Sequence, residues 1–241
     1  MTDWIRYYMG KSISVAIPAY EYSGKGVEVL NFSLNQMLQQ TFQDFELVIS
    51  DHSVDNEIEN VCKRWSNYFD LKYFRNENDR GSGSANFNNC IKNCAGKIIK
   101  LLCADDWLFS RDSLQITYDA FDENTNFLAT GYYHSRDRRN YYNPHYPQMN
   151  ENYHYINLIG TPSCVSVRNF KDIPEFDKNL FYAYDCDFYR SYIDKFGGYK
   201  LVNNITIGNY IWENSVTSTV NNEIIEKESL YIRAKYENKN S

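Results

Sequence analysis

Short, β-rich apolar runs alternate with segments of helical periodicity through the first part of the chain, and this alternation constrains the fold more than any other feature. The runs are Ser12–Ile17 (SISVAI), Phe45–Ser50 (FELVIS), Leu71–Phe74 and Lys97–Cys103 (KIIKLLC). Continuous apolar character in so short a run, closed by Pro18 in the first case, predicts strands buried on both faces. Between them, Val27, Leu30, Leu34, Met37 and Leu38 follow the spacing of one helix face after the turn Ser23-Gly24-Lys25-Gly26. Glu57–Phe69 and a segment from about Ala85 to Cys94, stopped by Gly96, predict two further helices. A β-α-β-α-β-α-β order is the pattern of a mostly parallel, Rossmann-like α/β sheet flanked by helices. Ligands of such sheets gather outside the carboxyl ends of the strands. Pro18-Ala19-Tyr20, Asp51-His52-Ser53 and Asp105-Asp106 all fall there, and three polar exits on one edge predict a nucleotide site.

The second half is less regular. Ser113–Phe121 and Tyr184–Phe196 predict helices, the latter opened by Asp185 and Asp187, while Phe127–Tyr133 and Ser163–Val167 predict strands. Glu223–Tyr236 predicts a charged terminal helix packed on the outside. The stretch from His134 to Tyr155 is crowded with Tyr, Asn, Arg and His and lacks periodicity, so it is read as a long loop, functional or disordered, and as a candidate acceptor lid. The chain is expected to form one domain over 1–241, with a ligand-binding half at 12–108, a second half at 109–219 and a terminal helix at 220–241.

Composition narrows the partners. A formal net charge of −6 argues against a general nucleic-acid binder, which needs a basic surface. Small anionic substrates stay open, because a metal ion can supply the positive charge. An aromatic share of 17%, with 22 Tyr, suits a wet cleft that receives a sugar or base, or follows from compositional bias in the gene. No run reaches the ~18–20 apolar residues that cross a bilayer, although peripheral membrane contact stays open. Met1–Lys11 carries no apolar signal region, so a cytoplasmic location is expected. The cysteines Cys62, Cys90, Cys94, Cys103, Cys164 and Cys186 form no CxxC pair and read as buried free thiols rather than a zinc site.

Asp105-Asp106 carries the clearest chemistry. Two adjacent carboxylates at a strand exit repel one another unless a cation compensates, and Mg²⁺ or Mn²⁺ is commonly held by one or two carboxylates together with substrate phosphates. The same dipeptide also fits a solvated acidic turn that caps the next helix, and taken alone it does not separate the two readings.

Five segments in order resemble the family 2 glycosyltransferases of the GT-A fold: SVAIPAY at 14–20, QQTFQDFELVISDHS at 39–53, ANFNNCIKNCAGKIIKLLCADD at 85–106, GTPSCVSVR at 160–168 and FDKNLFYAYDCDFYR at 176–190. The resemblance implies an inverting enzyme, dependent on Mn²⁺ or Mg²⁺. It would move a hexose-type sugar from a UDP-, GDP- or dTDP-sugar to a hydroxyl of a glycan or other acceptor. Pro18, Ala19, Tyr20 and Glu21 match the exit that cradles the nucleoside, and Asp51 matches the residue that reads base and ribose. Arg80 and Asn88 match donor-binding positions around the following helix. Asp105 and Asp106 match the end of the DxD-type motif, with Asp106 expected on the metal and Asp105 on ribose or metal. Asp185 matches the general base, and an acceptor hydroxyl indeed needs a carboxylate to take its proton.

Three positions depart from the family pattern. His52 stands where a second Asp is frequent, which leaves the donor base open. Cys103 replaces the first Asp of DxD, and Trp212 stands where many members carry a metal- or phosphate-binding His, with Glu213 as a substitute ligand. His134, His145 and His154 show no ligand spacing, and Arg136, Arg138 and Arg139 read as solvated charge or as contacts to a charged acceptor or lipid phosphate. A sugar nucleotidylyltransferase would need a Gly-rich basic turn after the first strand, and a Rossmann dehydrogenase would need GxGxxG there. The exit Ala19-Tyr20-Glu21-Tyr22 is neither. A non-catalytic relic of the glycosyltransferase fold is the remaining alternative.

Overall fold

Each of the four apolar runs forms a strand, and all four deliver their polar exits to one edge. The computed structural model describes residues 11–150, 152, 153, 156–213 and 215–237. β1 (Ile13–Ala19), β2 (Phe45–Asp51), β3 (Leu71–Arg75) and β4 (Ile98–Leu101) are joined through α1 (Gly26–Met37), α2 (Glu57–Trp65) and α3 (Gly83–Asn93). β1 pairs in parallel with both β2 and β4, and β2 with β3. The register sets Ala19 beside Asp51 and Asp51 beside Arg75, so three strand exits lie in one row.

The remaining elements are β5 (Trp107–Leu108), α4 (Ser113–Ala120), β6 (Phe127–Ser135), β7 (Tyr142–His145), β8 (Val165–Arg168), α5 (Tyr184–Phe196), β9 (Tyr199–Tyr210), a short α6 (Val216–Thr219) and α7 (Asn222–Glu237). A single nine-stranded sheet runs through both halves in the order β3-β2-β1-β4-β8-β6-β9-β5, with β7 hairpinned onto β6. Its first four strands are parallel, as read from the sequence, and the far part is mixed. β8 is antiparallel to β4 and β6, whereas β9 runs parallel to β6.

Burial explains the order. Val15, Ile17, Leu47 and Ile49 are wholly buried within the sheet, and Leu30, Leu34, Met37, Ile58 and Val61 face it from the helices. Each such side chain contributes roughly 1.5–3 kcal/mol on transfer from water. A ladder of stacked rings, Phe87 on Phe176 at 5.0 Å and Phe176 on Phe188 at 4.0 Å, fastens α5 to α3.

Two points of the sequence reading change. The aperiodic stretch after His134 is not all loop, since it contains the end of β6 and all of β7. β9 is the longest strand and has no counterpart in the sequence reading, because Asn203, Asn204 and Gly208 interrupt its apolar pattern. Gly208 is required there: a Cβ would run into the Trp107 ring on β5. The terminal helix is packed on the outside, as expected, and is anchored by one buried stripe. Ile232 and Tyr236 bury against Leu180, and the Glu228 carboxylate accepts the N–H groups of Phe181 (2.6 Å), Tyr182 (3.0 Å) and Ala183 (2.8 Å).

Candidate active site

The β1 exit turns sharply into α1. Pro18 and Ala19 end the strand in buried positions, Tyr20 is 37% exposed and Glu21 is half-buried. Gly26 lies so close to the Tyr20 carbonyl that any Cβ would collide with it, which allows the turn to pack flat on the strand end. One Glu21 carboxylate oxygen is buried with no hydrogen-bond partner among the described residues. The Tyr22 ring meets Tyr20 edge-on at 5.7 Å and Trp212 at 5.9 Å.

At the β2 exit the Asp51 side chain is wholly buried. One of its oxygens accepts the Ser53 N–H at 2.8 Å, and the other accepts the Tyr73 hydroxyl at 2.7 Å with Arg75 at 3.5 Å. His52 is 2% exposed, and its Nε2 takes a hydrogen bond from the Asn76 amide at 2.8 Å. Burial pushes the His52 pKa below its usual value, so the ring is neutral near pH 7. His52 is thus turned into the protein, where it braces the β3–α3 loop.

The β4 exit forms the acidic centre. Cys103, Asp105 and Asp106 present ligand atoms that all lie within 4.8 Å of one another. Asp106 is 1% exposed and both its oxygens are engaged: Oδ2 accepts the Ser163 hydroxyl at 2.5 Å, and Oδ1 accepts Asn209 Nδ2 at 2.9 Å and the Tyr210 N–H at 3.0 Å. Asp105 is half-buried, and its Oδ2 accepts the Trp212 indole N–H at 3.0 Å. Its Oδ1 accepts no hydrogen bond from another described residue. Burial raises the pKa of both carboxyls, and in Asp106 the neighbouring Asp105 charge adds to it. Such a pair is short of positive charge. Two carboxylates suit a hard divalent ion, whereas the Cys103 thiol, held protonated by burial, does not. Asp105 therefore accepts from one described neighbour and Asp106 from three.

Asp185 opens α5 on the same face. Its Oδ1 accepts the Cys186 N–H at 2.7 Å and its Oδ2 accepts the Asn157 amide at 2.7 Å. Burial pushes its pKa up to about 6. One segment joins the two carboxylate centres: Asn157 donates to Asp185 and accepts the Gly160 N–H at 2.7 Å, and Ser163, three residues on, donates to Asp106. Asp187 is not part of this group. Its carboxylate binds Lys235 at 2.9 Å and Tyr236 at 2.8 Å, tying α5 to α7.

Other expected residues fall elsewhere. Asn88 makes a two-bond clip with the Phe176 backbone, donating to its carbonyl at 2.9 Å and accepting its N–H at 2.8 Å. Both polar atoms of its amide thus help to hold the β8–α5 segment, with one N–H of Nδ2 left over. Arg80, partly exposed, pairs with Glu77 at 3.5 Å, and its charge acts on Tyr20 and His52. Glu213 is exposed and lies outside the Cys103–Asp105–Asp106 cluster. His134 bonds Asn209 at 2.9 Å, His145 donates to the backbone carbonyls of Leu158 and Ile159, and His154 lies outside the described residues. Arg136 and Arg139 are exposed, but the Arg138 side chain is only 11% exposed. Its guanidinium lies between the rings of Phe32 (4.6 Å) and Tyr210 (4.4 Å) and binds Glu28 at 2.9 Å.

Sequence reading did not reach Tyr73, Arg75, Asn157, Ser163 or Asn209 as members of the site. Arg75 and Ser163 had a signal, one at a strand exit and the other within GTPSCVSVR; Asn157 had none, since its segment shows no periodicity.

Among the described residues, no helix is long and apolar enough to cross a membrane. Residues 14–174 match the profile of Glycosyl transferase family 2. An uncharacterized glycosyltransferase of Rickettsia conorii is 32% identical over 133 residues, which cover 54% of this chain and 20% of the relative. The chain therefore matches about a fifth of that relative's length. Among solved structures, S. aureus TarS 1–349 in complex with UDP-GlcNAc superposes with a TM-score of 0.71 at 18% identity, covering 92% of this chain and 66% of TarS 1–349. The mannosyltransferase PcManGT from Pyrobaculum calidifontis, in complex with GDP-Man and Mn2+, gives a TM-score of 0.65 at 15% identity over 97% of this chain and 67% of its own. At these identities the two structures establish the GT-A fold.

Proposed function

The chain belongs to glycosyl transferase family 2, and on that premise we propose that it transfers a hexose-type sugar, with inversion, from a nucleotide-diphosphate donor to a hydroxyl of a glycan or other acceptor. The observation that carries this reading is that one short segment, 157–163, hydrogen-bonds both Asp185, through Asn157, and the Asp105–Asp106 turn, through Ser163. A site of this kind needs positive charge at the leaving diphosphate and a base at the acceptor, and the two carboxylate centres divide those tasks.

Nucleoside recognition falls to the exits of β1 and β2. Tyr20 offers an exposed ring, Asp51 is held rigidly by Tyr73 and Ser53, and Arg80, whose charge is felt at the Tyr20 hydroxyl, would meet the donor phosphates. His52 serves through the loop it braces. Donors bound by the structural neighbours, UDP-GlcNAc in TarS and GDP-Man in PcManGT, keep UDP- and GDP-sugars as the first candidates. Asp105 would hold Mn²⁺ or Mg²⁺ through the oxygen that accepts from no other described residue, with Asp106 fixing the turn beneath it. When bound, the ion supplies the charge that stabilises the departing diphosphate. Asp185, its carboxyl raised to about 6 by burial, is ionised at neutral pH yet basic enough to take the acceptor proton. Asn157 and the Cys186 N–H hold its two oxygens in a fixed plane. A base on the face opposite the leaving group gives single displacement.

The test is incubation with UDP-, GDP- and dTDP-sugars and Mn²⁺, following release of nucleoside diphosphate, with donor binding read from thermal shift. A donor that stabilises the fold and is turned over supports the proposal. Cys103 and the Trp212–Asp105 hydrogen bond favour one other reading, a non-catalytic relic; it would bind a nucleotide sugar and release nothing.

A further inference from the structure

The proposed chemistry leaves one charged residue of β4 unused. Lys100 has 0% exposure in the interior of the sheet, with Val15 of β1 and Ser166 of β8 as its strand neighbours. Its ammonium carries three N–H donors but meets one acceptor among the described residues, the Ser163 carbonyl at 2.5 Å. The Ser166 hydroxyl beside it is buried with no hydrogen-bond partner among the described residues. An interior lysine with no carboxylate in contact is costly, and methionine would fill the same space without that cost. A charge kept in such a place has a task.

Ser163 shows what the task is. Its carbonyl binds Lys100, while its hydroxyl accepts the Cys103 N–H at 2.9 Å and donates to Asp106 Oδ2 at 2.5 Å. One residue thus links the interior cation to the acidic turn. Asp106 is the carboxylate whose charge acts on Lys100, and the other titratable groups around it are the thiols of Cys103 and Cys164. Burial lowers the Lys100 pKa only to about 8, so it is charged at neutral pH. Burial keeps both thiols protonated, and they do not neutralise it.

We propose that Lys100 is a positioning residue, an internal counter-charge that orients Asp106 through Ser163 and offsets part of the negative charge of the Asp105–Asp106 pair, so setting how tightly the pair holds a divalent cation. This rests on the reading of the pair as a metal site. It also gives that site a cation of its own where the departures Cys103 and Trp212 have thinned the ligand set: the turn tolerates its two carboxylates before any metal arrives.

The experiment is a Mn²⁺ titration followed by electron paramagnetic resonance of the free ion, on the wild type, Lys100→Met and Lys100→Gln, with folding checked by circular dichroism. Glutamine keeps a donor for the Ser163 carbonyl but not the charge, and carries the test if the methionine variant does not fold. Removal of one positive charge beneath the site is expected to tighten Mn²⁺ binding about tenfold or more in both variants. A residue that merely filled space would leave affinity unchanged or weaken it. Equal or weaker binding in the folded variants, with Mn²⁺ bound by the wild type, overturns the counter-charge and leaves the metal site standing. Absence of Mn²⁺ from the wild type and both variants overturns the metal site and this role with it. Binding gained only in the variants supports the counter-charge.

Discussion

The Trp212 indole N–H donates to the Asp105 carboxylate at 3.0 Å, and so joins the segment leaving β9 to the turn leaving β4. The contact is supported from both sides, by the Tyr22 ring at 5.9 Å and the Lys25 ammonium over the indole at 5.3 Å. It leaves Asp105 with one oxygen that accepts from no other described residue. Trp212 therefore orients the carboxylate where family relatives often place a ligand of their own.

Trp212→Phe retains the ring and removes the donor. The expected cost is about 1.5–3 kcal/mol of stability, the usual range for a hydrogen bond to a charged group. A several-fold weaker Mn²⁺ response should accompany it, because Asp105 gains rotational freedom. Thermal melts with and without Mn²⁺ measure both. An undiminished metal-dependent shift would show that the indole does not orient Asp105.

The two carboxylates should respond differently to amidation. Asp105→Asn removes the oxygen available to a cation, so the Mn²⁺-dependent part of donor binding should disappear. Asp106→Asn still offers an oxygen to Asn209 and Tyr210 and removes a buried charge, so the fold should be as stable as wild type or more so, with metal binding weakened to a smaller degree. Calorimetric titration of donor with Mn²⁺ and then with EDTA separates the cases. Equal loss in both variants would assign the two residues a shared role.

The parallel half of the sheet was legible because its strands are buried on both faces and read as unbroken apolar runs. The exits follow from the strands, and Asp51, Asp105 and Asp106 could be named on that ground. What lay outside reach was pairing across distance. Ser163 lies 57 positions from Asp106 and Asn157 lies 28 from Asp185, and no local pattern announces either bond. β9 was hidden by its asparagines: Asn203 and Asn204 are exposed, and Asn209 faces Asp106 and His134, partners that only the folded sheet supplies. Arg138 read as solvated charge because sequence does not show the two rings that enclose it.

Asp185 links activity and stability to pH in opposite senses. Burial raises its pKa from 3.8 to about 6. As a base it acts when ionised, so kcat/KM should climb as pH rises through about 6 and then level. The folded state keeps the proton between the ordinary carboxylate range and about 6, while the unfolded chain has released it. Stability is therefore greatest below that window and falls as pH rises through it, by roughly 3 kcal/mol in full. Asp185→Asn should lose about 100-fold or more of transfer, retain donor binding, and melt higher than wild type at pH 8 but not at pH 4. Melts at the two pH values, alongside turnover, test this directly; near-normal transfer by the variant would remove Asp185 as the base.

Asn88 provides the opposite kind of case, a residue aligned with a donor contact whose amide is committed to the backbone of Phe176. Asn88→Ala breaks both bonds of the clip and leaves the Phe176 N–H and C=O to find water. The expected loss is about 1–3 kcal/mol of stability, with some loosening of the Phe87–Phe176–Phe188 stack. Donor KM should stay within about threefold of wild type at a temperature where the variant is folded, a change under about 1 kcal/mol. Asn88→Asp serves as the control: its carboxylate still accepts the Phe176 N–H but offers nothing to the carbonyl, so its stability should fall between the two. If instead Asn88→Ala melts like wild type and its donor KM rises tenfold, the clip is dispensable and the residue faces the donor after all.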